Sequence, residues 1–408
     1  MRLPLSPARR VFLPLAREVR DADRRARPRV AVWELTLRCN LSCGHCGSRA
    51  GKPRDHELST EECLALVDEL ARLAVLEVSL IGGEAYLHPG FFPVLKALKA
   101  HGIEVGLTTG GRAIDAELAR AMADAGLDSV SVSLDGLEAA HDAQRGVDGS
   151  FRLALDAIEA FRAASVFVSV NTQINRKSSP DLEALLETII SHGVSAWQIA
   201  LTVAMGRAAD RPEWLLQPYD LLELFPRLAA LKQRCDAASV RLWPGNNIGY
   251  FGPYERLFRG QMPLGHGYSC GAGVTTLGIE SDGTIKGCPS LPSDGWVGGN
   301  VREESLAAIW ERSPRLRYIR DRSVDDLWGF CRTCYYAEEC RAGCTWTGFS
   351  LFGRAGNNPY CHHRALELAR QGLRERVERV EAPPQQPFDI GRFEIILEEL
   401  PFTRGVSP

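Results

Sequence analysis

The stretch VAVWELTLRCNLSCGHC, residues 30–46, decides how this chain is read. Its first half, VAVWELTL (30–37), is an apolar run rich in β-branched and aromatic residues, and it reads as a buried strand. Its second half sets Cys39, Cys43 and Cys46 in one loop at the C-terminal end of that strand. Structural zinc usually takes four ligands, often as paired C-x2-C units. A loop with three thiols suits a [4Fe–4S] cube instead, because it holds three irons and leaves one for a ligand that is not protein. Spacing alone leaves zinc open; a place directly after the first strand of a β/α repeat argues against it.

The repeat continues downstream. LEVSLI (76–81), EVGLTT (104–109), SVSVSL (129–134), VFVSVN (166–171) and AWQIAL (196–201) are five further strand candidates. Helical patterns over 91–100, 115–125, 151–163, 181–192 and 219–237 follow them in turn, and Ser59-Thr60-Glu61-Glu62 opens a helix through about Leu73 with a capping box. Six β/α units with short connections imply parallel strands and right-handed crossovers. The predicted class is α/β: a partial (β/α)6 TIM-like barrel over 30–237, with its active site at the C-terminal strand ends. Before it, residues 1–29 carry nine arginines and read as a basic extension. After it, 238–269 is expected to be a linker or lid, since RLWPGNNIGYFGPYERLFRG (241–260) is rich in Gly, Asn and aromatic residues. A small cysteine-rich domain is expected over 270–370, with a basic helix at about 363–380. Residues 371–408 read as a C-terminal tail containing the linker EAPPQQP (381–387) and a late strand or helix, RFEIILEEL (392–400).

The chain has 408 residues, 45% hydrophobic and 24% charged, so a large core is available and global disorder is excluded. Its net charge of -3 gives no electrostatic case for a nucleic-acid partner. No apolar run approaches the roughly 18 residues of a membrane helix. VFLPLA (11–16) is broken by Pro14 and followed by arginines, unlike a secretory signal. A cytoplasmic protein without a membrane partner is expected. In that compartment, clustered cysteines point to metal rather than disulfides.

TLRCNLSCGHC (36–46) resembles the cluster loop of radical S-adenosylmethionine (SAM) enzymes, with His45 where the family usually carries an aromatic residue. Gly82-Gly83-Glu84, after the second strand, is similar to the family's GGE motif. SLDG (133–136), followed by His141-Asp142 and Arg145, resembles its fourth-strand signature. The resemblance implies that Cys39, Cys43 and Cys46 hold a cube whose open iron is chelated by SAM. One-electron cleavage of the sulfonium would then release a 5′-deoxyadenosyl radical, the cofactor carrying the hard chemistry. Gly82, Gly83 and Glu84 would hold the methionine amino group, and His45, Ser133 and Arg145 would contact the cofactor. Such a site needs few acid–base residues, and no catalytic residue is assigned.

A second cysteine pattern runs Cys270-x12-Gly283-x4-Cys288, Cys331-x2-Cys334-x5-Cys340-x3-Cys344 and Cys361. Ser281-Asp282-Gly283 predicts a hairpin turn bringing Cys270 and Cys288 to one end of a small sheet. The C-x2-C unit leaves zinc open here too. The pattern resembles the seven-cysteine signature of the SPASM domain, an auxiliary-cluster extension of radical enzymes that modify peptides. That implies an outer cluster on Cys331, Cys334, Cys340 and Cys361 and an inner one on Cys270, Cys288 and Cys344, making three [4Fe–4S] clusters in all. Sulfatase-maturase-like relatives have one more cysteine just before the first; here the nearest upstream is Cys235. The inner cluster is expected to keep an open iron, with His266 as the alternative ligand. Cys63 and Cys235 fall on apolar helical stripes and read as core thiols. His88-Pro89 reads as loop structure. Asn171-Thr172-Gln173 and Gly206-Arg207 are either cavity contacts or solvated strand ends.

The function these resemblances imply is a peptide maturase, abstracting hydrogen from a residue of a ribosomally made precursor to give a crosslink, epimerisation or oxidation. The alternative keeps the radical chemistry but acts on a protein Ser or Cys, as in sulfatase maturation, or on a small molecule. A non-catalytic electron-transfer protein is disfavoured by the GGE and SLDG motifs, and a zinc-binding module would lack SAM cleavage. The expected partners are a precursor peptide and an electron donor such as flavodoxin or ferredoxin. The 29 residues before the first strand are too few for a winged leader-recognition domain. Recognition is therefore expected from a separate protein, the basic extension or the barrel.

Overall fold

A computed structural model describes residues 26–248, 251–260 and 270–401; His266 and most of the basic extension lie outside them. Six parallel strands follow the expected order: β1 (Val30–Thr36), β2 (Glu77–Gly82), β3 (Glu104–Thr109), β4 (Ser129–Ser133), β5 (Phe167–Ile174) and β6 (Ala196–Leu201). The helices between and after them are α1 (Thr60–Arg72), α2 (Phe91–Ala100), α3 (Ala116–Asp124), α4 (Glu138–Arg145), α5 (Ser150–Ala163), α6 (Leu182–Ser191) and α7 (Leu221–Ala237). Period-2 alternation sorts each strand's side chains. On β1, Ala31, Trp33 and Leu35 enter the core with Leu66, Val67 and Leu70 of α1, so Glu34 and Thr36 take the opposite face. The capping box of α1 is present, Ser59 Oγ accepting from Glu62 N at 3.2 Å and Ser59 N donating to the Glu62 carboxylate at 2.8 Å.

The region past residue 237 departs from the sequence reading. The stretch 241–260 is not simply a loop: β7 (Arg241–Pro244) pairs in parallel with β6, and Glu255–Arg259 is a short helix. The hairpin around Gly283 forms from β8 (Thr276–Ile279) and β9 (Thr284–Lys286). It does not make a separate small sheet, because β8 pairs in parallel with β1 and β10 (Val297–Asn300) adds to β9. The result is one ten-stranded sheet, ordered β10-β9-β8-β1-β2-β3-β4-β5-β6-β7.

The expected helix at 363–380 is also corrected. It spans His362–Arg370, and Gly372, at φ 71°, lets the chain turn into β11 (Leu373–Glu381). β11 pairs antiparallel with β12 (Arg392–Glu399), so most of the expected tail is a hairpin. Its connection, 382–391, docks on the barrel. Arg49 Nε donates to Asp389 Oδ1 at 2.7 Å, Gly206 N donates to Asp389 O at 2.8 Å, and the Lys286 ammonium lies 4.1 Å from the centre of the Phe388 ring. Among the described residues, no helix is long and apolar enough to cross a membrane.

Candidate functional site

The C-terminal strand ends enclose a cleft of about 600 Å³ lined by Cys39, Cys43, His45, Cys46, Gly82, Gly83, Glu84, Thr109, Ser133, Arg145 and Arg207, among others. Every residue of the first cysteine loop, the GGE motif and the SLDG signature that was singled out for cluster or cofactor therefore meets in one place. Two backbone seams fix the cysteine loop. On one side, Gly83 N donates to Thr36 O at 2.7 Å and Glu84 N to Arg38 O at 2.8 Å. This approach requires glycine: a Cβ on Gly82 would lie 2.2 Å from Thr36 O, and one on Gly83 would lie 2.2 Å from Arg38 O. On the other side, Ser42 N donates to Arg145 O at 3.1 Å and Gly44 N to Gln144 O at 2.7 Å, at the end of α4. Gly83→Ala is expected to push the loop away from β2 and to destabilise the fold by about 1–3 kcal/mol. Thermal unfolding would test this, and an unshifted transition would contradict the seam.

The charges in the cleft are arranged in depth. Glu84 is buried; Thr109 Oγ1 donates to its Oε2 at 2.5 Å and Gly110 N to its Oε1 at 2.7 Å. Burial nevertheless raises its carboxyl to about 7, so the site favours a cationic partner for this group. Asp135, fully buried, lies at the end of the SLDG strand and was not assigned a role from sequence. Its Oδ2 accepts from Arg145 Nη2 at 2.5 Å and lies 3.1 Å from His45 Nε2, and its Oδ1 accepts from Gln173 N at 2.8 Å. Although burial opposes it, the Arg145 guanidinium and the His45 imidazole hold this carboxyl well below the usual carboxylate range. The same guanidinium reaches towards the cysteine loop, with Nη1 3.7 Å from Cys43 Sγ.

These residues fit a thiolate-bound cluster. Burial pushes the Cys39 thiol up to about 12 and raises that of Cys43, so the soft donors are held in a place where their charged form needs a cation. His45 Nδ1, Arg145 Nε and Arg207 Nε are buried without a partner. The remaining polar residues resolve otherwise. Thr172 is a brace between strands, donating to Leu134 O and accepting from Trp197 Nε1, and Asn171 Oδ1 accepts from Ser133 Oγ at 3.2 Å. His88 Nδ1 accepts from Gly90 N at 3.0 Å, a loop contact, and Cys63 and Cys235 are buried in the core.

Two further thiol sets lie in the C-terminal half. Cys331, Cys334, Cys340 and Cys361 line one cavity of about 410 Å³ together with Asn358 and Arg364. Burial pushes the Cys361 thiol up to about 12, and four thiols around one cavity match the number of ligands a cube takes. Cys270, Cys288 and Cys344 are close together: burial pushes the Cys288 thiol up to about 12, with Cys270 and Cys344 adding to its charging cost, and Cys344 likewise opposes the charging of Cys270. Gly273 N donates to Gly287 O at 3.0 Å, which carries the Cys270 segment to Cys288 as the hairpin turn predicted.

This chain belongs to the radical SAM superfamily and carries a SPASM domain: it is an enzyme of iron–sulfur clusters and SAM. The profile described as Radical SAM superfamily matches residues 33–189, and the Iron-sulfur cluster-binding domain profile, SPASM, matches 270–335. The mycofactocin maturase MftC of Mycobacterium ulcerans is 31% identical over 86% of this chain and 93% of its own length. The AdoMet-dependent heme synthase of Methanosarcina barkeri is 29% identical over 83% of this chain and 97% of its own. In fold, the chain is similar to SuiB of Streptococcus suis bound to precursor peptide SuiA, with TM-score 0.63 and 18% identity over 82% of this chain and 75% of that one.

Proposed function

We propose that this enzyme is a peptide maturase that abstracts hydrogen from a residue of a ribosomally synthesised precursor, forming a crosslink, an epimer or an oxidised residue. The observation that carries this reading is the combination of one cleft holding the radical-SAM motifs with two further thiol sets, in a chain 31% identical to a mycofactocin maturase. Cys39, Cys43 and Cys46 would hold one [4Fe–4S] cluster, Cys331, Cys334, Cys340 and Cys361 a second, and Cys270, Cys288 and Cys344 a third. When bound, the reduced cluster and SAM supply one-electron cleavage and a hydrogen-abstracting radical.

The chain's own residues bind, orient and shield. Glu84 offers a buried carboxylate to the SAM ammonium, and Ser133, His45 and Arg145 line the cofactor's cleft. Asp135 fixes Arg145 and His45 against the cysteine loop. Cys270, Cys288 and Cys344 would hold the inner cluster by three thiolates, which would leave a coordination position for a substrate group. Reduction would come from a flavodoxin or ferredoxin. Leader recognition would come from a separate protein, the basic extension or the barrel.

Glu84→Gln is expected to weaken SAM binding roughly tenfold to a hundredfold, the equivalent of about 1.5–3 kcal/mol for a hydrogen bond to a charged group. Equilibrium dialysis against the reconstituted enzyme would measure it; unchanged affinity would place the ammonium elsewhere. The substrate reading is tested by supplying reduced enzyme and SAM with a short precursor peptide encoded beside the gene, and in parallel with an iron porphyrin. A mass change in the peptide coupled to 5′-deoxyadenosine is expected. Porphyrin turnover with an inert peptide would favour the heme-synthase relatives instead.

A further inference from the structure

Three buried arginines stand beside the three thiol sets, and two of them are balanced by carboxylates. Arg145 pairs with Asp135 at 2.5 Å, and Arg364 pairs with Glu375 at 2.6 Å. Arg322 is different. Its side chain is buried, yet among the described residues it forms no ion pair with a carboxylate. Nη1 donates to Thr345 Oγ1 at 2.9 Å and Nη2 to Gly343 O at 3.3 Å, so its fork grips the residues on both sides of Cys344. Its Nε is buried without a partner. Near enough to interact with its charge are the thiols of Cys270, Cys340 and Cys344 and the Tyr318 hydroxyl. Cys270 and Cys344 belong to the inner set, and Cys340 to the outer one.

A guanidinium stays charged at any ordinary pH, and burying a charge is strongly unfavourable unless an opposite charge lies close to it. Neutral carbonyl and hydroxyl acceptors satisfy two of its nitrogens but supply no counter-charge. Among the described residues, the groups beside it that can carry negative charge are the Tyr318 phenol, whose own ionisation burial opposes, and the cysteine thiols with what they would hold. We propose that Arg322 is the shared counter-charge of the two auxiliary clusters, and that it raises the potential at which the inner one accepts an electron. This rests on the auxiliary-cluster assignment made above. The sign follows from electrostatics: reduction adds negative charge to the cluster, and a desolvated cation near thiols of both sets favours it, in surroundings where water screens little.

Redox titration of the full-length, reconstituted enzyme, followed by paramagnetic resonance, tests the proposal, with iron counted on each preparation. Arg322→Gln keeps length and polarity and removes the charge. It is expected to retain iron and to lower the inner cluster's reduction equilibrium constant at least tenfold, which is 59 mV for a one-electron couple. Arg322→Lys keeps the charge but cannot grip Thr345 and Gly343 together, and is expected to hold the potential within a third of that shift. A fully loaded Arg322→Gln protein with the wild-type potential would overturn the proposal. If the glutamine variant loses its auxiliary iron, the lysine variant decides: a wild-type potential upholds the charge, and a shifted one overturns it in favour of a packing role. Wild-type protein saturating at a single cube would overturn the auxiliary-cluster assignment itself, a failure the iron count separates from the others.

Discussion

Replacing Cys39, Cys43 and Cys46 together with alanine is expected to abolish 5′-deoxyadenosine formation while leaving the absorbance of the auxiliary clusters. All three side chains line the same cleft as Glu84, and the loop that carries them is stitched to β2 and to α4 by backbone bonds that do not involve the thiols. The fold should therefore survive the loss. The cysteines near the other two cavities come from residues 270–361, on segments that do not depend on the substituted loop for their own turns. Anaerobic reconstitution of the parent protein should give about twelve irons, and of the variant about eight, if each site holds one cube. Residual 5′-deoxyadenosine above the no-enzyme background would show that the radical is made elsewhere, and mainly zinc in place of iron would contradict cluster binding altogether.

The second large effect is structural. Asp135→Ala is expected to cost about 3–5 kcal/mol, because it leaves the buried Arg145 guanidinium without its carboxylate. The same oxygen serves Arg145 and His45, so one substitution frees both the cluster loop's His45 and α4's Arg145 from the end of β4. Denaturant unfolding should show a lower midpoint, and SAM cleavage should fall with it. Asp135→Asn, which keeps the acceptor for Gln173 N but not the charge, is expected to fall between. A stable Asp135→Ala protein would mean that Arg145 finds another anion.

The comparison of sequence with structure follows from what each segment has to bury. The six barrel strands were legible because each is a short stretch rich in Val, Ile, Leu and other β-formers, apolar at every second position or nearly so, set between turn residues and helical patterns. The cleft was legible because its residues are packed into short motifs, each at a strand end. β7 and β8 were not read as part of the sheet, being four residues each, β7 ending in Pro244 and β8 interrupted by Gly278. α4 was missed because its buried residues, His141, Gln144 and Arg145, are polar and give no apolar stripe. For the same reason Asp135 was quoted within a motif without a role: an isolated aspartate has no period, and its importance lies in the two cations that three-dimensional contact brings to it. The helix expected at 363–380 failed at Gly372: beyond it LRERVERVE still spaces Leu373, Val377 and Val380 like a helix, and it is the turn at this glycine and the pairing with β12 that make it a strand.

The docked connection 382–391 has a bearing on the order in which the molecule is made. Arg49, three residues past the last cysteine of the radical loop, is held by Asp389 across 340 positions of chain, and the outer edge of β1 waits for β8, which begins at Thr276. A ribosome delivers the barrel strands first, with that edge open and that loop unbraced, and long-range pairings of this kind form late. A cluster on Cys39, Cys43 and Cys46, as proposed, would have its natural window for delivery during synthesis, before Phe388 settles over Lys286 and Asp389 closes on Arg49. Expression without enough iron would let the clasp shut on an empty loop, so the supply of clusters during translation, rather than afterwards, should govern the yield of active enzyme.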